Sequence, residues 1–568
     1  MKKWVLLFVI LCSSFVLAED PYHLKILAVS DNGVNMTGSD ADLFLELKSG
    51  TGRVFIDTFP LTKMDTQIST RFAKELACKH FKLDCDRYDF IFTIKSNSNI
   101  IGGPSAGAAI AALTTIAVLD LDYDESVAIT GTINSGGIVG TVGGVKEKIE
   151  AGKNVGLTKV LVPIGSDYGD NETNVTDLEK ELGIEIFEVV ELDDVLLHIT
   201  GKDLNHRDIS FEIDESYENI MKELHNVLCK RSDTIQNQII KEKIHLNSNT
   251  TSDIRRQMGR AKNASEMGDY YSSASFCFGN NIRLRREFYD EKNLSLPKSR
   301  LKLRELSEQV SKLEEDVNDE IIETISDLQT YMVVKERMND VKQQIDKKNL
   351  TAEEGRATLA YAEERFFSAV SWKKFFSMEG KKYDLNYDTL RNGCLAKLSE
   401  AEQRRQHASF FLSPHYLNGI QEKIDQAEKA LADEEPALCL IMASQAKGDA
   451  NAILSSLGLK DDDVEFFINA KRNAAERVIA ENSADGVFPI LGFSYYQYAN
   501  TLRDTDKFTS LLYLEYALEM SELTIYFPEK ELLPFSVRVT DRDLYLLGIG
   551  LLLGIVLGLL FGVLRKTK

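Results

Sequence analysis

Proline, tryptophan and positive charge are all scarce in this chain. Ten prolines and two tryptophans occur in 568 residues. No proline interrupts Lys298–Ser413, and stretches that long without proline favour long helices over a β-sandwich. Lys and Arg total 67 against 88 Asp and Glu, a net charge of −21. A surface that acidic repels phosphate backbones, which argues against a general nucleic-acid binder. The seven cysteines and eight histidines form no Cys-x-x-Cys or Cys/His cluster with zinc spacing, so neither a metal nor another cofactor is expected. No Gly-x4-Gly-Lys-[Ser/Thr] occurs, so no ATP-cradling loop is expected either. What the chain does have is 43% hydrophobic and 27% charged residues, the balance of a polymer that buries cores. Its length allows three or four domains of roughly 100–200 residues.

Near each end lies an apolar run flanked by basic residues. Lys2 and Lys3 precede the run Trp4–Leu17, and Val16-Leu17-Ala18 offers small positions for cleavage, so residues 1–18 read as a secretory signal peptide. Near the other end, Leu544–Leu564 carries no charge over 21 residues. That is enough for a hydrocarbon core of ~30 Å, and predicts a single C-terminal transmembrane helix at 544–564. Gly550, Gly554, Gly558 and Gly562 recur every four residues there, a spacing that suits self-association. Arg565, Lys566 and Lys568 follow, so the positive-inside bias puts the 565–568 tail in the cytoplasm and the bulk of the chain outside a plasma membrane. Two features agree with that placement. Asn-x-Ser/Thr triplets start at Asn35, Asn171, Asn174, Asn249, Asn263, Asn293 and Asn349. Beyond the signal peptide six cysteines remain, an even number that permits three disulfides, with Cys78/Cys85 the best single pair.

Between the ends the texture changes once. Over 22–201 short β-branched and aromatic runs alternate with helical patterns. Strands are expected at Leu24–Val29, Leu43–Leu47, Val54–Phe59, Phe90–Ile94, Ser126–Ile133, Lys159–Val162 and Glu185–Val189. Helices are expected at Asp65–Phe81, Pro104–Leu119, Val145–Gly156 and Thr176–Leu182, which makes this an α+β domain. Over 204–535 apolar residues recur at three and four, predicting a mostly α-helical accessory region. Its clearest element is a long helix at about 298–347, with a seam through Leu306, Val310, Leu313, Val317, Ile321, Ile325, Leu328 and Met332. Ala261–Leu284, Ala427–Ala450 and Ala475–Leu502 each break near Gly268, Pro436 or Gly486, as helical hairpins or as parts of an ordinary bundle.

The candidate chemistry sits in the first domain. Ile101-Gly102-Gly103-Pro104-Ser105-Ala106-Gly107 closes a strand and opens an alanine-rich helix. Glycines there let a substrate backbone approach, Pro104 fits a first helical turn, and Ser105 stands where free N–H groups can stabilise an oxyanion. On its own such a start is usually just a cap. Further on, Thr130-Gly131-Thr132-Ile133 leads to Gly143-Gly144-Val145-Lys146-Glu147-Lys148. A buried lysine can act as a general base, and Lys146 and Lys148 lie on different faces of a helix, so only one can turn inward. Periodicity does not say which.

Taken together, Gly-Gly-Pro-Ser-Ala-Gly and Thr-Gly-Thr-Ile…Val-Gly-Gly-Val-Lys-Glu-Lys-Ile-Glu-Ala-Gly resemble the proteolytic domain of Lon-type serine peptidases, over about His23–Gly201. The resemblance implies a Ser–Lys dyad, with Ser105 as nucleophile and Lys148 as base. It assigns supporting roles to Thr130, Gly103, Pro104, Gly143 and Gly144, Thr130 by a hydroxyl that helps hold the lysine. Gly102 and Thr132 depart from the pattern, since many members have acidic residues there. With no ATPase module, the arrangement is similar to membrane-anchored archaeal Lon-like peptidases. It implies an outward-facing, ATP-independent serine endopeptidase that takes peptides or unfolded proteins and assembles as a homo-oligomer. The alternative is a catalytically idle Lon-like scaffold whose helical region binds partners at the cell surface.

Overall fold

A computed structural model describes residues 20–31, 36–168, 175–204, 212–376, 378–457, 461–530 and 547–557. The expected signal peptide lies outside them.

Period-two alternation builds the first sheet. β1 (Tyr22–Asp31), β2 (Met36–Ser49), β3 (Val54–Thr62) and β4 (Tyr88–Ile101) are ordered β1-β2-β4-β3. Leu24, Leu43, Leu45, Phe90, Phe92 and Ile94 all turn to one fully buried face. The β1/β2 and β2/β4 pairs are antiparallel, whereas β3 runs parallel to β4. A parallel neighbour needs a crossover, and α1 (Met64–His80) supplies it. Phe72 and Leu76 of α1 join the same core as α2 (Gly107–Leu119). Every residue of α2 from Ala108 to Leu113 is fully buried, and its small side chains let it pack closely on the neighbouring elements.

A second sheet is all parallel, in the order β5-β8-β9, from β5 (Val127–Ile129), β8 (Lys159–Pro163) and β9 (Glu185–Val189). Between β5 and β8 come the small hairpin of β6 (Thr132–Ile133) and β7 (Val139–Gly140), and then α3 (Val145–Asn154). α4 (Val175–Leu182) and α5 (Leu192–Thr200) complete this half. The strand expected over Ser126–Ile133 is thus two pieces, broken at Thr130-Gly131. A side chain at Gly131 would meet Val139 Cγ1 at 2.5 Å, so the backbone passes too close to β7 for a regular strand.

The accessory region comprises α6 (Glu215–Lys241), α7 (Ser248–Glu266), α8 (Tyr270–Glu291), α9 (Leu296–Asn318), α10 (Ile325–Ile345) and α11 (Ala352–Trp372). It continues with α12 (Tyr387–Ala408), α13 (Asn418–Ala432), α14 (Pro436–Ser456), α15 (Asp461–Ala484), α16 (Ile490–Leu502) and α17 (Lys507–Ser521). The single helix expected over 298–347 is two helices, α9 and α10. Thr324 caps α10 by accepting from the Asp327 amide, and the Asp327 carboxylate accepts the Thr324 amide in return. That reciprocal cap starts a new helix, and Ile321, expected in the seam, is 78% exposed.

The C-terminal transmembrane helix also needs correction. Among the described residues no helix is long and apolar enough to cross a membrane. Only 547–557 of the expected span is described, and it is helical. Eleven residues rise about 16 Å, roughly half of a hydrocarbon core. The remainder of the span and the 565–568 tail lie outside the described residues.

Three disulfides join Cys78 to Cys85, Cys229 to Cys277 and Cys394 to Cys439. The first is the pair expected from sequence. The third ties α12 to α14 across 45 residues of chain. Loop-closure entropy for that span is about 4 kcal/mol, so replacing both Cys394 and Cys439 by Ala should lower the urea-unfolding free energy by about that much.

The two regions meet through buried polar contacts. Ser135 Oγ donates to Glu519, Arg477 donates to the Gly136 carbonyl and pairs with Glu191 at 2.6 Å, and Lys79 pairs with Glu522 at 3.2 Å. Lys447 of α14 lies 4.1 Å over the ring of Phe72 in α1.

Candidate active site

Ser105 stands between the end of β4 and the first turn of α2. The helix begins at Gly107 and not at Pro104, because the Pro104 carbonyl turns to accept the Gly107 amide at 3.0 Å. Gly103 has φ of +100°, a left-handed conformation that admits glycine at little cost, and it turns the chain into this loop. Its amide donates to Asp65 Oδ2 at 3.0 Å, so the first turn of α1 holds the loop from one side. On the other side the Ser105 carbonyl accepts the Gly131 amide at 2.9 Å, and the Ala108 amide donates to the Gly131 carbonyl at 3.1 Å. The bend between β5 and β6 therefore grips the serine loop by both backbone groups of Gly131. Among the described residues no hydrogen bond is made by the Ser105 or Ala106 amides, which leaves two donors at this helix start.

Lys148 lies one turn into α3. Gly144 precedes the helix with φ of +63°, and its carbonyl accepts the Lys148 amide at 3.0 Å. A Cβ on Gly144 would approach Val29 Cγ1 to 2.7 Å. Gly144→Ala should therefore lower stability by about 1–2 kcal/mol or more, and shift the helix that carries Lys148. Urea unfolding and hydrogen exchange over Val145–Asn154 would read both effects.

The two lysines of this helix are treated differently. Lys148 is 2% exposed, whereas Lys146 is half-buried. Among the described residues Lys148 forms no ion pair. Burial without a partner disfavours the ammonium and brings its pKa down to about 7, against a small opposing pull from Glu147. Such a lysine is neutral in a large fraction of molecules near pH 7 and can accept a proton. Geometry thus separates two residues that helical periodicity left equivalent.

Thr130 is fully buried, and its hydroxyl has no hydrogen-bond partner among the described residues. The structure does not show it bonded to Lys148. Its backbone amide donates to Leu161 in β8, which fixes the bend beside Ser105. Pro104 is buried, and Gly143 lies against Phe411, whose ring would be 3.5 Å from an added Cβ. Sequence reasoning missed Asp65 as the holder of the Gly103 amide. It also missed Gln403, Arg404 and His407 of α12, which reach this site from the helical region. None carries a local signal, since each acts on a backbone group far away in sequence. Among the described residues no group of His, Cys, Asp and Glu is arranged to hold a metal ion.

Comparison with known proteins finds the same part of the chain. Residues 89–201 match the model of the Lon protease (S16) C-terminal proteolytic domain, a match that begins later than the His23 expected from the motifs. The chain is 32% identical over 123 residues to an archaeal Lon protease of Methanocaldococcus jannaschii, covering 22% of this chain and 18% of that one. It is 35% identical over 125 residues to the archaeal Lon protease of Methanothermobacter thermautotrophicus, covering 22% and 19%. With a Lon protease of Lachnoclostridium phytofermentans it shares 32% over 141 residues, 24% and 17% of the two chains. The chain thus spans under a fifth of the length of these relatives. Both Ser105 and Lys148 fall inside the matched segment, and residues 89–201 carry a Lon-type proteolytic domain.

Proposed function

We propose that this chain is a serine endopeptidase that cleaves peptide bonds with Ser105 as nucleophile and Lys148 as general base. The observation that carries the reading is Lys148, buried in a Lon-type domain with no counter-ion among the described residues and with a pKa brought down to about 7. The neutral amine takes the proton of Ser105 Oγ as the oxygen attacks the substrate carbonyl. The free amides of Ser105 and Ala106 stabilise the tetrahedral oxyanion. Lysine then returns the proton to the leaving amine, and the same amine activates the water that hydrolyses the acyl-enzyme. Thr130 Oγ1, buried and unpartnered, is the acceptor that would receive the ammonium during these steps.

The substrates proposed are peptides and unfolded proteins, and hydrolysis proceeds without ATP, in keeping with the absence of a phosphate-binding loop from these 568 residues. Three disulfides support an extracytoplasmic location, where thiols stay oxidised. By analogy with the family the active form is a homo-oligomer, which sedimentation would establish. The direct test is hydrolysis of casein and short peptides by the purified chain with no nucleotide added. Cleavage of both supports the reading. An oligomeric protein that cleaves neither contradicts it and leaves the idle-scaffold alternative.

A further inference from the structure

The helical region sends one helical turn into the peptidase domain. Three of its side chains, Gln403, Arg404 and His407, reach carbonyls of the loops that build the site, while Arg405 and Gln406 bond to Glu402 of their own helix. Gln403 Nε2 donates to the Asp65 carbonyl, on the residue whose carboxylate holds the Gly103 amide. Arg404 Nη2 donates to the Ile133 carbonyl at 2.8 Å, directly after the Thr130-Gly131-Thr132 bend that grips Ser105. His407 Nε2 lies 3.1 Å from the Thr141 carbonyl, two residues before the Gly143-Gly144 entry to the Lys148 helix. An acceptor there requires the Nε2 proton. The ring is neutral at pH 7, because burial, helped by the nearby charges of Arg404 and Lys148, pushes its pKa down to about 4.

Arg404 is the unusual member. It is 4% exposed, its Nε has no hydrogen-bond partner, and among the described residues no carboxylate is within ion-pair distance of it. Burying a guanidinium on one carbonyl is a poor way to stabilise a fold, and an apolar residue of similar volume is often as good or better. The carboxylates that face it, Glu519, Glu400 and Glu515, act only from a distance, and all three are already engaged by lysines, Lys397, Lys447 and Lys471.

We infer that Arg404 is a positioning residue for the Ser105–Lys148 centre, and that α12 is a built-in part of the peptidase site. Its guanidinium fixes Ile133, and through the β5–β6 bend it fixes the Gly131 amide on the Ser105 carbonyl. The inference rests on the peptidase reading for its kinetic consequences but not for its structural ones.

The test uses the full chain with Arg404→Met, Arg404→Lys and, as a control, Lys82→Ala. Lys82 pairs with Asp485 across the same two regions at 2.9 Å but on the exposed surface. Arg404→Met is expected to lower kcat about 10²-fold with KM little changed, in line with small misplacements of a catalytic group. Its Tm is expected to be equal to or above that of the parent. The Gly131 amide is expected to exchange with deuterium at least about ten times faster, as the loop opens locally while the global fold holds. Arg404→Lys, which retains one donor, is expected to recover part of kcat, and Lys82→Ala to change nothing.

A residue that only supports the fold would lower Tm along with kcat, and that outcome overturns the inference. So does an unchanged kcat, or unchanged exchange at Gly131. If the parent chain neither hydrolyses casein nor reacts with a serine-directed phosphonate, the peptidase reading fails. Exchange at Gly131 then decides the positioning role alone: faster in Arg404→Met sustains it, and unchanged overturns it.

Discussion

Lys148→Met is expected to abolish hydrolysis and to make the protein more stable. The two effects have one cause. In the fold the ammonium loses its water and gains no counter-ion among the described residues, so the pKa falls from 10.5 to about 7. Each unit corresponds to about 1.4 kcal/mol, and the full penalty is about 4–5 kcal/mol. The folded-state value is depressed below the unfolded one, so between about pH 7 and 10.5 the unfolded chain binds more protons, and stability rises with pH through that window. Below pH 7 the penalty is complete, and above 10.5 it vanishes. Methionine has a similar length and no charge. The gain from Lys148→Met should therefore be about 4 kcal/mol near pH 6–7 and shrink towards zero by pH 10.5, read by urea unfolding across that range. Lys146→Met, at a half-buried position, should show neither the gain nor its pH dependence. Equal stability of parent and Lys148→Met at pH 6 would show that Lys148 is solvated or paired.

The second large effect is on the reaction. Without the base or the nucleophile a peptidase keeps only what its oxyanion donors and binding supply. Ser105→Ala and Lys148→Met should each lower kcat/KM by about 10⁴-fold or more, and the double variant should be little worse than either. The neutral amine is the active form, so kcat/KM of the parent should rise with unit slope and level off above about pH 7. A rising limb placed near pH 10 would mean that the working lysine is solvated. Casein and peptide assays between pH 5 and 9 read all of this.

Much of the first domain was legible because its signals are local. The short β-branched and aromatic runs at Leu24–Val29 and Phe90–Ile94 and the alanine-rich run after Pro104 reported strands and a helix directly. The Thr130-Gly131 bend was not legible as a break. The β-branched residues around it read as one strand, and only the approach of Val139 forbids that. The long helix failed for a similar reason, since the apolar seam continues through 319–324 although a reciprocal Thr324/Asp327 cap starts the chain again. The apolar run at Leu544–Leu564 was read from hydropathy alone, and the helix described there is too short to carry that reading. At the site, the family resemblance nominated Ser105 and Lys148, whereas helical periodicity alone left Lys146 and Lys148 equivalent. Physical grounds for separating the two lysines came only from tertiary burial, because two positions on one helix differ in what packs on them. Asp65, Arg404 and His407 act on carbonyls or amides from other elements, a relation that no spacing in the sequence encodes.

The central claim is that Ser105 is a nucleophile activated by Lys148. It is tested most directly by treating the purified chain with a fluorophosphonate at pH 8 and locating the adduct by peptide mass spectrometry, with Lys148→Ala and Lys146→Ala alongside. The account predicts an adduct on Ser105 in the parent and in Lys146→Ala, and none in Lys148→Ala. An unmodified Ser105 in the parent, or labelling of Ser105 in Lys148→Ala at the parent's rate, would contradict it.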